Sequence, residues 1–289
     1  MKYGFIFDHR EAHRVGKMAA LLGVTRSGYY AWAYRGEGSR RRADRELLEQ
    51  IRQIQQEVKR RYGSPRVTRE LARGGRRVGH NRVARLMREN DMGARPKRRF
   101  RVTTKSDEAL EVAENTLNRE FKVAAPDQVW VSDITYIATA EGWLYLCVVL
   151  DLYSRRVVGW SMGRTLVTEL TLAALMMAVT NRRPPQGLLF HSDRGVQYCA
   201  IAFRRTTKGH QMRQSMSRKG NCWDNACAET FFKSLKRELI RERVFASRAE
   251  ARAAIFEYLE VFYNRRRLHS YLGYLTPVEY EERLARKAA

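Results

Sequence analysis

Cysteine is scarce in this sequence, and its spacing fits neither a metal module nor a disulfide framework. The 289 residues include 4 cysteines. They are Cys147, Cys199, Cys222 and Cys227, and no two of them form a C-x-x-C pair. Zinc modules and small secreted proteins rely on regularly paired cysteines. The spacing therefore favours reduced, mostly buried thiols over a zinc site or a set of disulfides.

Long apolar runs are also missing. The longest clear run, residues 143–150, is far shorter than the roughly 20 residues that a membrane-spanning helix needs. The opening MKYG does not begin a signal peptide, and no heptad pattern is long enough for a dimerising zipper. We therefore expect a cytoplasmic protein of a cell whose DNA lies in that compartment, with no membrane partner.

Acidic residues are outnumbered by basic ones. The chain has 31 aspartates and glutamates against 55 lysines and arginines, a formal net charge of +24 at pH 7. Such a charge attracts phosphate polyanions, with an affinity that falls as salt rises. Charge indicates a class of partner and not a reaction, so nucleic-acid, ribosome-associated and membrane-surface binding all stay open on this ground alone.

The hydrophobic pattern predicts helices in the first part of the chain and a mixture of strands and helices in the second. Helices are predicted at residues 12–22, 26–32, 43–58, 79–90, 168–180, 201–208, about 224–241 and 248–264. Strands are predicted at residues 128–137, 143–151, 155–162 and 188–192, the first three as an antiparallel meander. Strands that bury one face beneath covering helices indicate a mixed α/β layer.

Three carboxylates lie in distinct local settings. Asp133 interrupts a strand rich in β-branched and aromatic residues, where a charge is out of place. Asp193 follows a predicted strand and precedes a glycine-containing loop. Glu229 lies on a helix that Asp224 or Asn225 is expected to cap. Clustered bare carboxylates repel each other, and a hard divalent cation such as Mg²⁺ resolves that conflict.

Neighbouring polar residues have more than one interpretation. Lys233 and Lys236 follow Glu229 at helical spacing and share its face. Asp151 ends the second predicted strand and is interpreted as structural. His191, beside Asp193, either contacts a substrate or packs at the end of its strand, and both interpretations stay open.

The order and spacing of the three acids resemble the pattern of a known protein family. Thirty-five residues separate Asp193 from Glu229, and Lys236 follows Glu229 by seven residues, about two helical turns. This arrangement resembles the DDE transposases, and most closely the catalytic OrfB protein of the IS-three insertion-sequence family. The phrases that carry the resemblance are WVSDITY (130–136), HSDRGVQY (191–198), GNCWDNACAE (220–229) and YNRRRLHS (263–270).

The resemblance implies a ribonuclease H-like, retroviral integrase-type α/β catalytic core, preceded by an all-α helix-turn-helix region. It implies that Asp133, Asp193 and Glu229 are catalytic and bind two Mg²⁺ ions, with Mn²⁺ as a substitute, while Lys236 grips a phosphate. The implied reaction is metal-dependent cleavage at the ends of an insertion sequence and transfer of the 3′-hydroxyl to target DNA, by a copy-out, paste-in route. The implied partners are double-stranded DNA carrying terminal inverted repeats, target DNA, further copies of the chain, and an upstream OrfA-type partner or fusion.

The domain organisation follows from the same patterns. The predicted divisions are an N-terminal helical region at 1–60 with helix-turn-helix outlines, a helix-turn-helix module at 61–97, a basic linker at 98–124, the catalytic domain at 125–245 and a helical tail at 246–289. DNA contacts are predicted at basic residues in several of these parts. They are Arg82, Arg85 and Arg88 on the second helix of the module, Lys97, Arg98 and Arg99 after it, and Arg194, Lys233 and Lys236 in the catalytic domain.

Two rival hypotheses belong to other classes of protein. A ribonuclease H-like nuclease that only hydrolyses would share the acids without needing the upstream basic helices. A non-catalytic DNA-binding regulator of transposition would share those helices without needing the acids. Joined DNA products separate the first rival from a transposase, and metal-dependent activity separates the second.

Overall fold

The computed structural model describes residues 1–34, 38–92, 112–218, 221–240 and 243–288. The chain divides into two compact units, Met1–Ala94 and Arg95–Ala289. None of the helices within the described ranges combines the length and the apolar character that crossing a bilayer requires.

The first unit is helical throughout its described residues. Its helices are α1 (Lys2–Asp8), α2 (Val15–Leu21), α3 (Arg26–Ala33), α4 (Ser39–Glu57), α5 (Ser64–Arg73) and α6 (His80–Glu89). The predicted helices at 12–22, 26–32, 43–58 and 79–90 are confirmed as α2, α3, α4 and α6. Helix α1 was not predicted, because Ile6 is its one buried residue and no apolar period marks it.

Two small apolar clusters hold these helices. Helices α1 to α3 bury Ile6, Met18 and Tyr29 against one another. Thr25 caps α3 by accepting the backbone N–H of Gly28 at 3.1 Å, which satisfies one of the donors that a helix start leaves free. Helices α4, α5 and α6 pack together through buried side chains, which include Leu47, Ile51, Val67, Leu71, Val83, Leu86 and Met87.

The second unit is built on a five-stranded mixed sheet. Its strands are β1 (Val129–Thr139), β2 (Gly142–Asp151), β3 (Val157–Gly163), β4 (Leu189–Ser192) and β5 (Arg213–Met216), in the spatial order β3-β2-β1-β4-β5. The predicted antiparallel meander is confirmed, since β1 pairs with β2 and β2 with β3 in that sense. Strands β4 and β5 extend the sheet in the parallel sense. Strand β5 was not predicted, because four residues with a polar first half give no apolar alternation.

Helices cover the sheet and complete the unit. They are α7 (Thr168–Arg182), α8 (Val196–Cys199), α9 (Ile201–Gly209), α10 (Ala226–Leu235), α11 (Arg248–Phe256) and α12 (Pro277–Ala288). Helix α7 packs so closely on β3 that a Cβ at Gly159 would lie 2.2 Å from the carbonyl oxygen of Ala174. Only glycine allows that approach. The core between sheet and helices includes Trp130, Phe190, Tyr198 and Phe203.

Two helices change their hydrogen bonding midway. Helix α10 continues into a π-helical segment, Lys236–Ile240, and α11 into another, Glu257–Tyr263. The predicted helix ending near residue 241 and the predicted helix at 248–264 therefore have about the right extents. The wider π-helical turns were not predicted. One extra residue in the helical hydrogen-bond pattern hardly changes the spacing of the apolar residues.

A buried ion pair joins the end of the α10 segment to the C-terminal part of the chain. Arg267 donates to both carboxylate oxygens of Glu238, at 2.8 Å each, and to Ser234 Oγ at 3.1 Å. Tyr258 donates its hydroxyl to Glu238 Oε2 at 2.9 Å. The Arg267 and Glu238 side chains are only 4% and 2% exposed, so each charge depends on the other for solvation.

Breaking this pair should therefore destabilise the second unit. We expect Arg267→Met to lower the free energy of unfolding by about 3–5 kcal/mol, because buried Glu238 loses the two short bonds from its buried guanidinium partner and keeps the longer Arg237 contact, at 3.5 Å. The double variant Arg267→Met/Glu238→Leu should recover most of that loss. Exposed Arg265 provides the matched control, Arg265→Met. Urea unfolding followed by circular dichroism measures all three, and equal midpoints for the two single variants would contradict the prediction.

Candidate active site

The sheet register brings Asp133 and Asp193 together. Strands β1 and β4 are parallel, and the last residues paired between them are Val131 and His191. Each acid lies two residues beyond its paired position, just past the carboxyl end of the ladder. Neighbouring parallel strands therefore deliver the two carboxylates to equivalent positions, at the edge where open α/β sheets usually carry their sites.

Burial raises the pKa values of both acids, and repulsion from neighbouring carboxylates adds to the shift of Asp133. Burial raises the pKa of Asp133 well above its usual range, and the nearby charge of Asp193 raises it further. The backbone N–H of Ile134, at 2.8 Å, and the charge of Lys236 oppose that shift. Burial also raises the pKa of Asp193, against a hydrogen bond from Gly195 N–H at 3.0 Å. Two partly buried carboxylates thus compete for one proton or one cation.

Helix α10 brings Glu229 to the same region. The helix packs on β1, and Asn225 donates its side-chain amide to the carbonyl oxygen of Ser132 at 3.0 Å, one residue before Asp133. The charge of Glu229 adds to the repulsion on Asp133. Glu229 itself is 30% exposed and accepts a hydrogen bond from Lys233 Nζ at 3.0 Å.

Asn225, one of the two residues expected at the start of this helix, holds the N-cap position of α10 but makes no capping hydrogen bond with its side chain. No side chain caps α10, because Asn225 is engaged with β1 and Asp224 is engaged with arginines. A short 3₁₀ turn, Cys222–Asn225, precedes the helix instead, and Asn221 caps that turn by accepting the N–H of Trp223 at 3.2 Å. The local sequence pattern could not show these distant partners.

Lys236 lies beside Asp133, at the start of the π-helical segment. Burial lowers the pKa of its ammonium group, and the charge of Asp133 opposes that shift. Its Nζ lies 5.4 Å from the centre of the Tyr136 ring. Tyr136 and Asp133 both belong to strand β1. The structure therefore brings one cation close to the acidic pair.

The donor set fits a hard cation in its chemistry and only partly in its arrangement. Asp133 and Asp193 are oxygen donors that repel each other, and Asn225 Oδ1 is buried without a hydrogen-bond partner in the described part of the chain. However, no three His, Cys, Asp or Glu side chains among the described residues form a metal-binding group. Glu229 accepts the bond from Lys233 on its Oε2.

Other predicted DNA contacts have intramolecular partners or lie outside the described residues. Arg82 and Arg85 each donate to Asp44 of α4 at 2.6 Å, and Arg85 also bonds Glu89 at 2.8 Å. These bonds brace α6 against α4. Arg88 is exposed, and Arg194 donates its Nε to the carbonyl oxygen of Ser217 at 2.7 Å. Lys97, Arg98 and Arg99 lie outside the described residues. A DNA-binding role for all of these residues stays a prediction.

Two polar residues near the site are structural. His191 is fully buried, between Ser215 Oγ at 2.9 Å and Ser217 Oγ at 3.2 Å, and burial lowers its pKa to about 4. It is therefore a neutral, packed histidine at pH 7. Asp151 is fully buried and accepts the N–H groups of Asp127 and Ser154, each at 2.8 Å.

Sequence reasoning gave Tyr198 no role. Its hydroxyl lies 2.8 Å from Ser132 Oγ, beneath Asp133, and the ring is buried. The Cys147 thiol lies 3.6 Å from the Tyr198 hydroxyl. Burial raises the pKa of this thiol to about 12. Cys147 and Cys199 are buried, and Cys227 is partly buried; a reduced state for the cysteines stays a prediction.

Comparisons with known proteins give consistent matches. The integrase core domain family matches residues 123–222 and, with a second description of that core, residues 229–284; an HTH-like domain matches residues 42–100. The chain is 45% identical to an uncharacterised 31 kDa protein of insertion element IS600 from Shigella sonnei, covering 94% of this chain and all of the relative. It is 41% identical to transposase InsF for insertion sequence IS3A from Escherichia coli K12, covering 98% and 99% of the two chains.

Solved structures give weaker likenesses. A simian T-cell lymphotropic virus intasome structure matches with a TM-score of 0.47 and 11% identity, over 80% of this chain and 74% of the other. The fold assignment rests on the family matches and the observed sheet. The predicted class, an integrase-type α/β core preceded by an all-α region, is confirmed. The exact predicted domain boundaries stay predictions.

The repulsion at Asp133 predicts a pH-dependent stability. The folded-state pKa of Asp133 lies above the unfolded value of about 3.9, so its ionisation favours the unfolded chain increasingly as pH rises from about 4 through the folded-state pKa. In metal-free buffer, Asp133→Asn should therefore have a higher urea midpoint than the native chain at pH 7.5, with the difference vanishing near pH 4.

Asp151→Asn is the matched control, because it makes the same change of net charge at a buried acid whose pKa burial also raises, but whose oxygens accept three hydrogen bonds. Its new amide nitrogen would face the Asp127 N–H, so the midpoint should fall, at a cost of about 1–3 kcal/mol. A midpoint for Asp133→Asn that is unchanged or lowered at pH 7.5 would contradict the account of the acidic pair.

Proposed function

Because the chain belongs to the family of insertion-sequence transposases with an integrase core domain, we propose that Asp133, Asp193 and Glu229 are the catalytic carboxylates of its DNA strand-transfer reaction. The family is one of polynucleotidyl transferases, and the chain is an enzyme of that class. The observation that supports the residue assignment is the placement of Asp133 and Asp193 two residues beyond the last paired residues of adjacent parallel strands, where the charge of Asp193 disfavours the ionised form of Asp133.

The three acids would hold two Mg²⁺ ions, with Mn²⁺ as a substitute. When bound, such ions polarise the phosphate and activate a water or a 3′-hydroxyl. The chain's part is to fix the oxygen donors. The two strands hold Asp133 and Asp193 rigidly, and the Asn225 bond to Ser132 holds the start of the helix that carries Glu229.

Lys233 of α10 and Lys236 of the π-helical segment that follows have separate roles. Lys236, half-buried beside Asp133, balances the negative charge of a phosphate near the bond that is cut, as a compact point charge. Lys233 occupies Glu229 in the free protein. Its exposed ammonium would transfer to a DNA phosphate when Glu229 turns to the ion. No side chain has to form a covalent intermediate, because a 3′-hydroxyl can attack the phosphodiester in line.

The substrate would be double-stranded DNA, as the terminal inverted repeats of an element and as target DNA. The net charge of +24 and the HTH-like domain support this substrate, since both favour phosphate binding. The reaction would be cleavage at the element end followed by joining of its 3′-hydroxyl, in a copy-out, paste-in sequence. The chain would act as a homo-oligomer on DNA, with an OrfA-type partner or fusion, in the cytoplasm at the nucleoid.

The proposal predicts metal-dependent joining that depends on Glu229. Purified protein would be incubated with a labelled duplex ending in the element's own terminal repeat and with a target plasmid, in Mg²⁺ or in EDTA. Mg²⁺ should give joined products, and Glu229→Gln should reduce them at least ~100-fold, because losing a metal-binding carboxylate removes several kcal/mol of transition-state stabilisation.

Glu169→Gln is the matched control, because Glu169, like Glu229, lies in the first turn of a helix but is exposed to solvent; it should retain full activity. Cleavage without joining in the native protein would favour the hydrolytic nuclease. Binding without cleavage would favour the regulator or a required OrfA segment, and adding the fused form would decide between those two.

A further inference from the structure

A fully buried aspartate lies just before the Glu229 helix and organises two arginines. Asp224 accepts the backbone N–H of Arg218 at 2.9 Å and two bonds from its guanidinium, at 3.0 and 2.9 Å. It also accepts Arg119 Nε and Asn115 Nδ2, each at 2.8 Å. The hydrogen bond from the Arg218 guanidinium holds the pKa of Asp224 far below its usual range. Its charge is therefore fixed across the whole working pH range.

One carboxylate does not neutralise two guanidiniums. The Arg119 and Arg218 side chains are 43% and 49% exposed, whereas the Asp224 side chain has no exposure at all. No second carboxylate pairs with either guanidinium within the described residues. A net positive charge consequently faces solvent, on groups whose orientation is already fixed. Guanidiniums fixed in this way match the fork geometry of a phosphate.

The backbone near Arg119 adopts a conformation that L-residues rarely take. Asn118 and Arg119 have φ values of 40° and 65°, in the left-handed region that favours glycine. Bonds on either side hold this turn: Asn118 N–H donates to Asn115 Oδ1 at 2.9 Å, and Leu117 N–H to Ser215 Oγ at 3.2 Å. The strained turn presents the Arg119 side chain to Asp224.

Short connections tie these arginines to the catalytic acids. Asp224 is followed by Asn225, which bonds the β1 carbonyl beside Asp133. Arg218 is preceded by Ser217, whose carbonyl oxygen accepts Arg194 Nε at 2.7 Å, and Arg194 directly follows Asp193. The pair of arginines is therefore linked to both aspartates through hydrogen-bonded neighbours in the chain.

We propose that Arg119 and Arg218, held by Asp224, form with Arg194 a binding site for the backbone phosphates of the DNA strand beside the bond that is cut. This site rests on the proposed function, because it assigns part of the same substrate. It contacts phosphate and not bases, so it orients DNA of any sequence against Asp133 and Asp193.

Arg119→Gln is the informative variant. It leaves Asp224 with four of its five hydrogen bonds, and the glutamine amide can still donate to it, so the fold should be retained. Affinity would be measured by fluorescence anisotropy in EDTA, from about 50 to 200 mM salt, with a terminal-repeat duplex and a scrambled duplex. The variant should weaken both equally and lower the slope of log affinity against log salt by about 1.

Two further variants make the test specific. Arg205→Gln removes one exposed arginine of α9 and makes the same change of net charge; its slope should stay native. Arg119→Lys keeps the charge and a donor to Asp224, so it should restore the slope even if Arg119→Gln unfolds more easily in urea. A native slope and affinity in folded Arg119→Gln, or a slope in Arg119→Lys as low as in Arg119→Gln, would overturn the proposal.

Failure of this site and failure of the proposed reaction give different results. Native protein that joins DNA, together with Arg119→Gln binding of native slope, would reject the phosphate site and leave the reaction standing. A lowered slope in Arg119→Gln, in a protein that joins no DNA under any condition, would support the phosphate site and reject the reaction.

Discussion

The repulsion between Asp133 and Asp193 is the constraint around which the second unit is organised. The parallel pairing of β1 with β4 places the two carboxylates side by side, and burial prevents water from screening them fully. The backbone offers each acid little relief, since Asp133 accepts one N–H from Ile134 and Asp193 one from Gly195. A sheet that served stability alone would place apolar side chains at both positions. The arrangement is stable only with a proton, a lysine or a divalent cation nearby.

Helix α10 is positioned by polar contacts at both of its ends. At its start, Asn225 bonds β1, while Asp224 pairs with nearby Arg218 and with Arg119, 105 residues earlier in the chain. Past its end, Glu238 is locked by the buried Arg267. Between these anchors, Glu229 remains partly exposed and is held by one surface lysine. The helix is therefore rigid where it meets the sheet, and its acidic side chain is free to exchange partners.

Local patterns predicted four of the five described strands and most of the longer helices, because each has a periodic signal. The partners of polar residues were not predictable in the same way. Asp224 fits an N-cap by its position, but its ligand Arg119 lies 105 residues away. Arg82 and Arg85 fit a recognition helix by spacing, yet their nearest partner is Asp44 of α4. These hydrogen-bonded pairs of side chains form only in the completed fold, so the local sequence does not predict them.

The most direct test of the central claim is to locate the cation by chemistry on the polypeptide itself. Fe²⁺ can replace Mg²⁺ at oxygen sites, and with ascorbate and peroxide it cuts the backbone next to its binding site. Mass spectrometry should find cuts next to Asp133 and Asp193, with a weaker cut near Glu229, all suppressed by excess Mg²⁺ and absent in Asp133→Asn. Cuts elsewhere, or cuts that Asp133→Asn leaves unchanged, would contradict a metal-binding acidic pair.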